Sequence, residues 1–203
     1  MIETPPLTRS TLLPNPFAQF AAWFEAAVSA GIENANAMTL ATATRDGRPS
    51  ARVVLLKDYD ENGFVFFSNY NSQKGQELAQ NPQAALVFYW VQFHRQIRIV
   101  GRVERVSTAE SEAYFNGRPI GSRLSALASD QSSVIENRQM LEEKVAQLSA
   151  EHEGQPIPHP HNWGGYRLKP EEFEFWQGRP DRLHDRFHFR KVNDLWLIER
   201  LAP

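Results

Sequence analysis

The sequence predicts a mainly β protein with peripheral helices, an α+β class in which an antiparallel sheet or barrel forms most of the core. Two observations predict this class. Candidate strands occupy both ends of the 203-residue chain, and they follow one another without the strand–helix–strand alternation of a parallel sheet. The helical patterns are confined to the N-terminus and the middle of the chain. The length fits a single domain that spans residues 1–203.

The N-terminal region combines a polar segment with a helix. Residues 1–14 are proline-rich, and we expect them to form a flexible arm. An early acid and two prolines stand where a secretory signal needs basic and apolar stretches, so we expect a cytoplasmic protein. A helix is predicted over residues 15–30, before Gly31. Its apolar residues recur at helical spacing and are Phe17, Phe20, Phe24 and Val28.

A meander of strands is predicted in the first half of the chain. Turn-forming sequences at 45–49 and 60–63 separate stretches rich in apolar residues, a pattern typical of hairpins. The predicted strands cover residues 37–44, 52–58, 64–69, 84–93 and 96–106.

A helical section then interrupts the strands. One helix is predicted over 108–118, and a capping-box sequence at 133–136 predicts the start of a longer helix that ends before Gly154. Three prolines and two histidines between 155 and 162 exclude a regular element there. Further strands are predicted at 165–168, 172–177, 183–190 and 195–201.

The composition excludes several classes of function. With a net charge of −2 and a pI near 6.3, the chain has no positive field that attracts nucleic acid. The longest apolar run, residues 84–91, is far too short to span a membrane. The absence of cysteine excludes thiol catalysis and disulfides, and the histidine spacing disfavours a metal site. No glycine-rich nucleotide-binding loop or G-x-S-x-G sequence is present.

The segment from Ser68 to Gly75 gathers hydroxyls, amides and Lys74 where a short helix should begin. Free backbone N–H groups and the helix dipole make such a start a natural phosphate site. The alternative is that Asn71 or Ser72 merely caps the helix, and the pattern alone favours this alternative.

A second pattern lies at residues 182–188. On a strand, the basic residues of this segment share one face, and two arginines beside a titratable imidazole suit an anionic substrate that undergoes proton or hydride chemistry. A solvated barrel exterior explains the pattern equally well. The residues of the cationic face are Arg182, His184, Arg186 and His188.

Seven segments in register carry a resemblance to a known family. They are RVVLLK at 52–57, SNYNSQK at 68–74, YFNGRP at 114–119, QSS at 131–133, WGGYR at 163–167, FWQG at 175–178 and RLHDR at 182–186. Together they resemble the pyridoxine (pyridoxamine) 5′-phosphate oxidases, from about residue 15 to the C-terminus.

The resemblance implies a split β-barrel that binds FMN across a homodimer interface. It also implies the oxidation of pyridoxine 5′-phosphate or pyridoxamine 5′-phosphate to pyridoxal 5′-phosphate, with oxygen as electron acceptor and hydrogen peroxide as product. The cofactor supplies the redox chemistry in such an enzyme, so no protein nucleophile is needed. Two alternatives are another flavin reductase on the same barrel and a non-catalytic protein that stores FMN or pyridoxal phosphate.

The same resemblance implies roles for named residues. Those implied for the FMN phosphate and its chain are Arg52, Ser68, Lys74, Gln131 and Ser132, and those implied for the FMN ring system are Val53, Val54, Leu55, Phe67, Gln96, Trp176 and Arg186. Lys57 is also implied to bind the cofactor. Those implied for the substrate phosphate are Lys57, Tyr114, Arg118 and Ser122. Arg182 and His184 are implied to cover the pyridine ring at the point of hydride transfer, as the catalytic residues.

Three positions depart from the family pattern. Gln73 stands where relatives commonly have arginine or lysine, which removes one charge from the expected FMN phosphate site. The segment 119–122 lacks charged residues, and the short N-terminal arm lacks the basic and aromatic residues with which some relatives cover the active site.

Overall fold

The computed structural model describes residue 2 and residues 4–203, and in this part of the chain nine strands form one sheet with five α-helices around it. The helices are α1 (Pro16–Ser29), α2 (Gln73–Gln80), α3 (Thr108–Asn116), α4 (Ile120–Ala128) and α5 (Arg138–Glu151). The strands are β1 (Ala37–Ala43), β2 (Pro49–Leu55), β3 (Asp58–Asp60), β4 (Gly63–Asn69), β5 (Gln83–Trp90), β6 (Arg95–Arg105), β7 (Trp163–Gln177), β8 (Asp185–Val192) and β9 (Leu195–Arg200).

All strand pairings in the described residues are antiparallel, which confirms the predicted sheet class. The order is β2-β1-β5-β6-β7-β4-β3, with β8 on β7 and β9 on β8. The 15-residue β7 pairs with β4, β6 and β8 along different parts of its length. The two strands predicted at 165–168 and 172–177 are therefore one strand, which carries a bulge opposite Val100 and Gly101.

The core is rich in aromatic rings from α1 and the sheet. Phe20 on α1 is fully buried and contacts Phe64 and Phe88 edge to face, at ring centroid distances of 4.8 and 5.1 Å. Asn15 caps α1 through a 2.8 Å hydrogen bond from the Phe17 backbone N–H, and Gly31 follows the helix with a positive φ of 68°. The predicted N-terminal helix is thus confirmed.

The prediction of a loosely held N-terminal arm is wrong for the described part of residues 1–14. Leu7 and Leu12 are buried in the core, and the Leu7 backbone N–H donates to the Asp185 carboxylate at 3.2 Å. The apolar leucines explain the difference, since their burial offsets the cost of ordering the polar residues between them. Met1 and Glu3, which also belong to the predicted arm, lie outside the described residues.

The helical section differs from the prediction at two places. The longer helix, α5, begins at Arg138, because Asn137 accepts the capping bond from the Met140 N–H at 3.0 Å. The Ser133 hydroxyl donates instead to the Asp130 carbonyl, and Val134 is fully exposed. In addition, α4 forms over a stretch for which no helix was predicted. None of the helices in the described residues is long and apolar enough to cross a membrane.

Candidate active site

A cleft of about 450 Å³ opens where β2, β4 and the α3–α4 region meet. It gathers side chains from five separate segments of the chain, and twelve of the predicted site residues line it. These are Arg52, Val53, Val54, Leu55, Lys57, Phe67, Ser68, Lys74, Tyr114, Arg118, Ser122 and Gln131, joined by Pro119 and Trp163. Residues far apart in sequence therefore meet as the resemblance implied.

Lys74 supplies a positive charge at one end of the cleft. Its Nζ donates to Gln131 Oε1 at 2.8 Å, Ser68 Oγ at 3.2 Å and Ser72 Oγ at 3.4 Å, all of them neutral acceptors. Burial lowers the pKa of Lys74, and the neighbouring Arg52 charge lowers it further. Among the described residues no carboxylate lies within ion-pair distance of Nζ, so this cation is available to an anion.

The start of α2 lies beside Lys74. Ser72 is the N-cap, with its hydroxyl accepting from the Gly75 N–H at 3.3 Å, so the capping interpretation is correct for Ser72. Ser132, predicted at the FMN phosphate, accepts from the Gln73 backbone N–H at 3.2 Å. Two predicted cofactor ligands, Lys74 and Ser132, thus flank a helix start whose dipole favours an anion.

Arg52 is held from within the protein. Its Nη1 donates to Leu40 O and Thr42 Oγ1, and its Nη2 donates to Ser50 Oγ and Glu77 Oε2. Four of the five guanidinium hydrogens are therefore committed, and Nε–H is the remaining donor. This arrangement fixes the guanidinium at the wall of the cleft.

Glu77 is a buried carboxylate that organises this wall, and it was not among the residues predicted from the sequence. Burial raises the pKa of the Glu77 carboxyl, but hydrogen bonds from Ser50, Thr42 and Gln73 and the Arg52 charge outweigh burial and bring the pKa to about 2. The signal in the sequence was its spacing, since Glu77 lies four residues after Gln73, where helical side chains meet.

A stack of aromatic rings forms another wall of the cleft. Phe67 and Tyr114 lie parallel with centroids 3.8 Å apart, and Trp163 continues the stack 5.5 Å from Phe67. Trp163 is the second site residue that was not predicted from the sequence, although it begins a segment that carried the resemblance. A stack of this kind offers a flat, polarisable surface to a planar ligand.

Arg118 lies against this stack with unused hydrogen-bonding capacity. Its guanidinium carbon is 4.7 Å from the Trp163 ring centroid, and its buried Nη1 has no hydrogen-bond partner among the described residues. Burial lowers the pKa of Arg118. A buried donor without a partner is costly, so this atom fits a site that an anionic ligand completes. The donor set of the cleft therefore fits a ligand with phosphate groups and a planar ring.

The remaining predicted residues form a second group on β6, β7 and β8. Gln96, Trp176 and Arg186 are consecutive partners across these strands. The His184 ring lies 4.7 Å from Trp176. Arg186 is neutralised by the buried Glu174, at 2.7 Å, and also donates to the Ala202 carbonyl.

The predicted cationic strand face at 182–188 is only partly correct. β8 begins at Asp185, whereas Arg182 ends a short 3₁₀ turn, Pro180–Arg182, and is exposed. Pro180 and two successive positive φ angles, at Asp181 and Arg182, turn the chain away from the sheet. On the strand itself, Arg186 is paired with Glu174, which Arg98 shares, and His188 Nε2 lies 3.2 Å from Glu172 Oε2.

The two groups are separate in one chain. Trp163 in the cleft and Trp176 in the second group stand near opposite ends of β7, and no residue of the second group lines the cleft. We refer to the cleft and the second group as the two half-sites.

Comparison with known proteins agrees with this geometry. The family model described as pyridoxamine 5′-phosphate oxidase matches residues 24–152, and the model of a pyridoxine 5′-phosphate oxidase C-terminal dimerisation region matches residues 163–203. A pyridoxine/pyridoxamine 5′-phosphate oxidase from Nostoc sp. (strain PCC 7120) is 58% identical over 191 residues, which cover 94% of this chain and 89% of the relative.

Two solved structures share the fold. PhzG from Burkholderia lata 383, solved in complex with tetrahydrophenazine-1-carboxylic acid, has a TM-score of 0.89 and 33% identity, with 94% of each chain covered. An FMN-binding protein related to pyridoxamine 5′-phosphate oxidase, from Nostoc punctiforme, has a TM-score of 0.73 and 18% identity, covering 95% of this chain and 100% of that one. The predicted split barrel is thereby confirmed. From the family models, the identity to the Nostoc oxidase and the cleft that these residues form, we conclude that the chain belongs to the pyridoxamine 5′-phosphate oxidase family.

Proposed function

We propose that this protein is an FMN-dependent oxidase that converts pyridoxine 5′-phosphate or pyridoxamine 5′-phosphate to pyridoxal 5′-phosphate, the last step of vitamin B6 cofactor synthesis and salvage. The observation that carries the proposal is the cleft, where two cations flank a stacked aromatic wall. These are Lys74 and Arg118, and neither has a carboxylate partner among the described residues. The curated relatives named as this oxidase, at 58% and 56% identity, support the same reaction.

Two phosphate positions account for the two separate cations. Lys74 at the start of α2, with Ser68, Gln131 and the Nε–H of Arg52, holds the FMN phosphate. Arg118, with Lys57, Tyr114 and Ser122 on the aromatic side of the cleft, holds the substrate phosphate. Each position combines two charged donors with neutral ones, and charge-assisted hydrogen bonds to phosphate are the stronger kind.

A homodimer with FMN at the interface unites the two half-sites. Trp176, His184 and Arg186 lie in the segment that matches a C-terminal dimerisation region, residues 163–203. The aliphatic face of β2 lines the cleft with Val53 68% exposed, which is consistent with a surface that a ligand and a second copy cover. In this arrangement the second group of one protomer completes the cleft of its partner.

FMN held by these residues would supply the redox chemistry, in which the substrate is oxidised and oxygen is reduced to hydrogen peroxide, and with the amine substrate water would be consumed and ammonia released. The chain's own residues bind and orient the reactants. Arg182 steadies negative charge on the substrate ring, and His184 orients the ring through a hydrogen bond.

The test is aerobic incubation of the FMN-loaded protein with pyridoxamine 5′-phosphate, following aldehyde and peroxide together. We expect the two products in equal amounts. Turnover only with a nicotinamide donor would identify a reductase, and FMN binding without turnover would identify a storage protein. Tetrahydrophenazine-1-carboxylic acid, the ligand in the PhzG structure, serves as the competing substrate, and its preferential oxidation would overturn the proposal.

A further inference from the structure

The loop between β7 and β8, residues 178–184, carries Arg182 and His184, and its backbone has an uncommon conformation at two residues. Asp181 and Arg182 have φ angles of 55° and 62°, in the left-handed region that residues other than glycine rarely adopt. Such residues keep this conformation only where surrounding contacts impose it, and they concentrate at functional sites. The contacts that impose it here lie at the base of the loop.

An ion pair closes the base of the loop. Arg179 Nε, before the turn, donates to Asp185 Oδ2, after it, at 2.9 Å, and the two side chains are 20% and 9% exposed. Burial raises the pKa of Asp185, but hydrogen bonds from Arg179, Arg200 and the Leu7 N–H outweigh it and lower the pKa below its usual range. Asp185 is therefore ionised at neutral pH, as the pair requires.

Other segments brace this pair from two sides. The N-terminal arm contributes the Thr4 carbonyl, which accepts from Arg179 Nη1 at 3.0 Å, and the Leu7 N–H, which donates to Asp185 Oδ2 at 3.2 Å. Strand β9 contributes Arg200, whose Nη2 donates to Asp185 Oδ1 at 2.5 Å. Both carboxylate oxygens of Asp185 and two of the three guanidinium nitrogens of Arg179 are therefore engaged, while the buried Arg179 Nη2 has no hydrogen-bond partner among the described residues.

The same residue, Arg179, also orients His184. The Arg179 backbone N–H donates to His184 Nδ1 at 3.1 Å, and the ring packs against Trp176. A neutral imidazole that accepts at Nδ1 carries its proton on Nε2. His184 therefore presents an N–H donor on its outer edge.

We propose that Arg179 and Asp185 are positioning residues, which hold the 178–184 loop so that His184 is the Nε2–H tautomer and donates a hydrogen bond to an acceptor atom of the substrate. The inference rests on the proposed function, since it assigns the role of His184 within that site. It excludes His184 as the base that accepts a proton in the resting enzyme.

The first measurement reports the tautomer directly. Long-range ¹H–¹⁵N spectra of the ¹⁵N-histidine-labelled, FMN-loaded protein distinguish the two neutral tautomers, and the signal lost in His184→Gln identifies His184. We expect the Nε2–H tautomer in the wild type and a mixture of tautomers in Arg179→Met. Lys169→Met, which breaks the exposed ion pair of Lys169 with Glu104 on the same sheet, is the control and should leave the signal unchanged.

The second measurement is kinetic. We expect Arg179→Met to lower kcat about 10- to 100-fold, the range associated with misplacement of a catalytic group, while the FMN dissociation constant stays within about twofold. Arg179→Lys, which keeps the charge but loses the forked geometry, should recover part of the loss, and it serves as the test variant where Arg179→Met does not fold.

Two results would overturn the inference. One is a wild-type His184 in the Nδ1–H tautomer, and the other is an Arg179 variant that leaves both the tautomer and kcat unchanged. Failure of the wild type to oxidise pyridoxamine 5′-phosphate would instead overturn the proposed function, whereas the tautomer measurement would still decide the role of Arg179.

Discussion

At the scale of single residues, the buried carboxylate of Glu77 should make stability depend on pH. Its pKa is about 2 in the folded protein and about 4.3 in an unfolded chain. A carboxyl with a lowered folded pKa stabilises the protein above its unfolded pKa and loses that contribution as pH falls toward the folded value. The contribution is therefore present at neutral pH and disappears between about pH 5 and pH 2.

Glu77→Gln should accordingly destabilise the protein at pH 7 by about 1–3 kcal/mol, because it removes the charge that compensates Arg52. The difference from the wild type should shrink steadily as the pH is lowered below 5. Urea unfolding at a series of pH values measures the loss of stability at pH 7 and its change with pH. Glu142→Gln, in an exposed ion pair with Arg138, is the control and should change stability little. A difference for Glu77→Gln that is independent of pH would contradict this assignment.

Gln73 is the second residue whose replacement is informative. It is exposed at the first position of α2, and its amide donates to Glu77 Oε1 at 2.9 Å. Gln73→Arg should tighten FMN binding by roughly 2- to 12-fold at low salt, since charged donors bind phosphate more strongly than neutral ones. The gain should shrink as salt rises.

Titration of the apo-protein with FMN at low and high salt measures this effect. Gln76→Arg adds the same charge one turn further along α2 and is the matched control, for which we expect a smaller gain. If Gln73→Arg leaves the affinity for FMN unchanged at low salt, the new guanidinium pairs with Glu77 rather than with the phosphate.

At the scale of the elements, the bulge between β6 and β7 depends on Gly101. A Cβ at this position would lie 2.0 Å from the Lys169 carbonyl oxygen, so the two strand backbones approach too closely for any side chain. Gly101→Ala must push β7 away, and we expect a loss of more than about 2 kcal/mol in the free energy of unfolding.

Gly121→Ala is the contrasting variant at the same scale. Gly121 lies in α4 with no atom within 4 Å of an added Cβ, and alanine favours a helix over glycine by about 0.5–1 kcal/mol. We expect this variant to be slightly more stable than the wild type. Denaturant unfolding gives the free energy of unfolding of both variants. Equal changes in the two variants would mean that β7 can shift freely at its bulge.

At the scale of the whole molecule, the separation of the two half-sites predicts complementation between protomers. We expect the protein to purify yellow, as a homodimer with one FMN per chain. Lys74→Ala damages the cleft and His184→Ala damages the second group, so each homodimer should lose most of its activity. A mixed dimer rebuilds one undamaged site from the two intact halves.

Co-expression with two affinity tags isolates that mixed dimer. Its activity per dimer should return to about half of the wild-type value, because one of its two sites carries no substitution and the other carries both. A double variant, Lys74→Ala with His184→Ala on the same chain, paired with a wild-type chain, is the control and should leave two singly damaged sites. An inactive mixed dimer would show that the site lies within one chain.

The antiparallel class, the N-terminal helix and twelve of the fourteen residues that line the cleft were predictable from the sequence. Helical spacing in α1 and turn residues between strands are local signals, and they are read without knowledge of distant contacts. The twelve cleft residues were predicted from the family resemblance. They lie in five dispersed segments, and no local pattern in the sequence indicates that these segments meet.

Other features depend on contacts that are visible only in the folded structure. Both Ser133 and Asn137 can cap a helix. Asn137 is the cap of α5, which begins at Arg138, and Val134 is left exposed. The arm residues around Leu7 are ordered by burial and by the Asp185 carboxylate, which lies 178 positions away in sequence. The turn at Arg182 likewise depends on an ion pair across the loop. Periodicity along the sequence expresses neither a contact between remote residues, such as Leu7 and Asp185, nor the choice between two nearby caps.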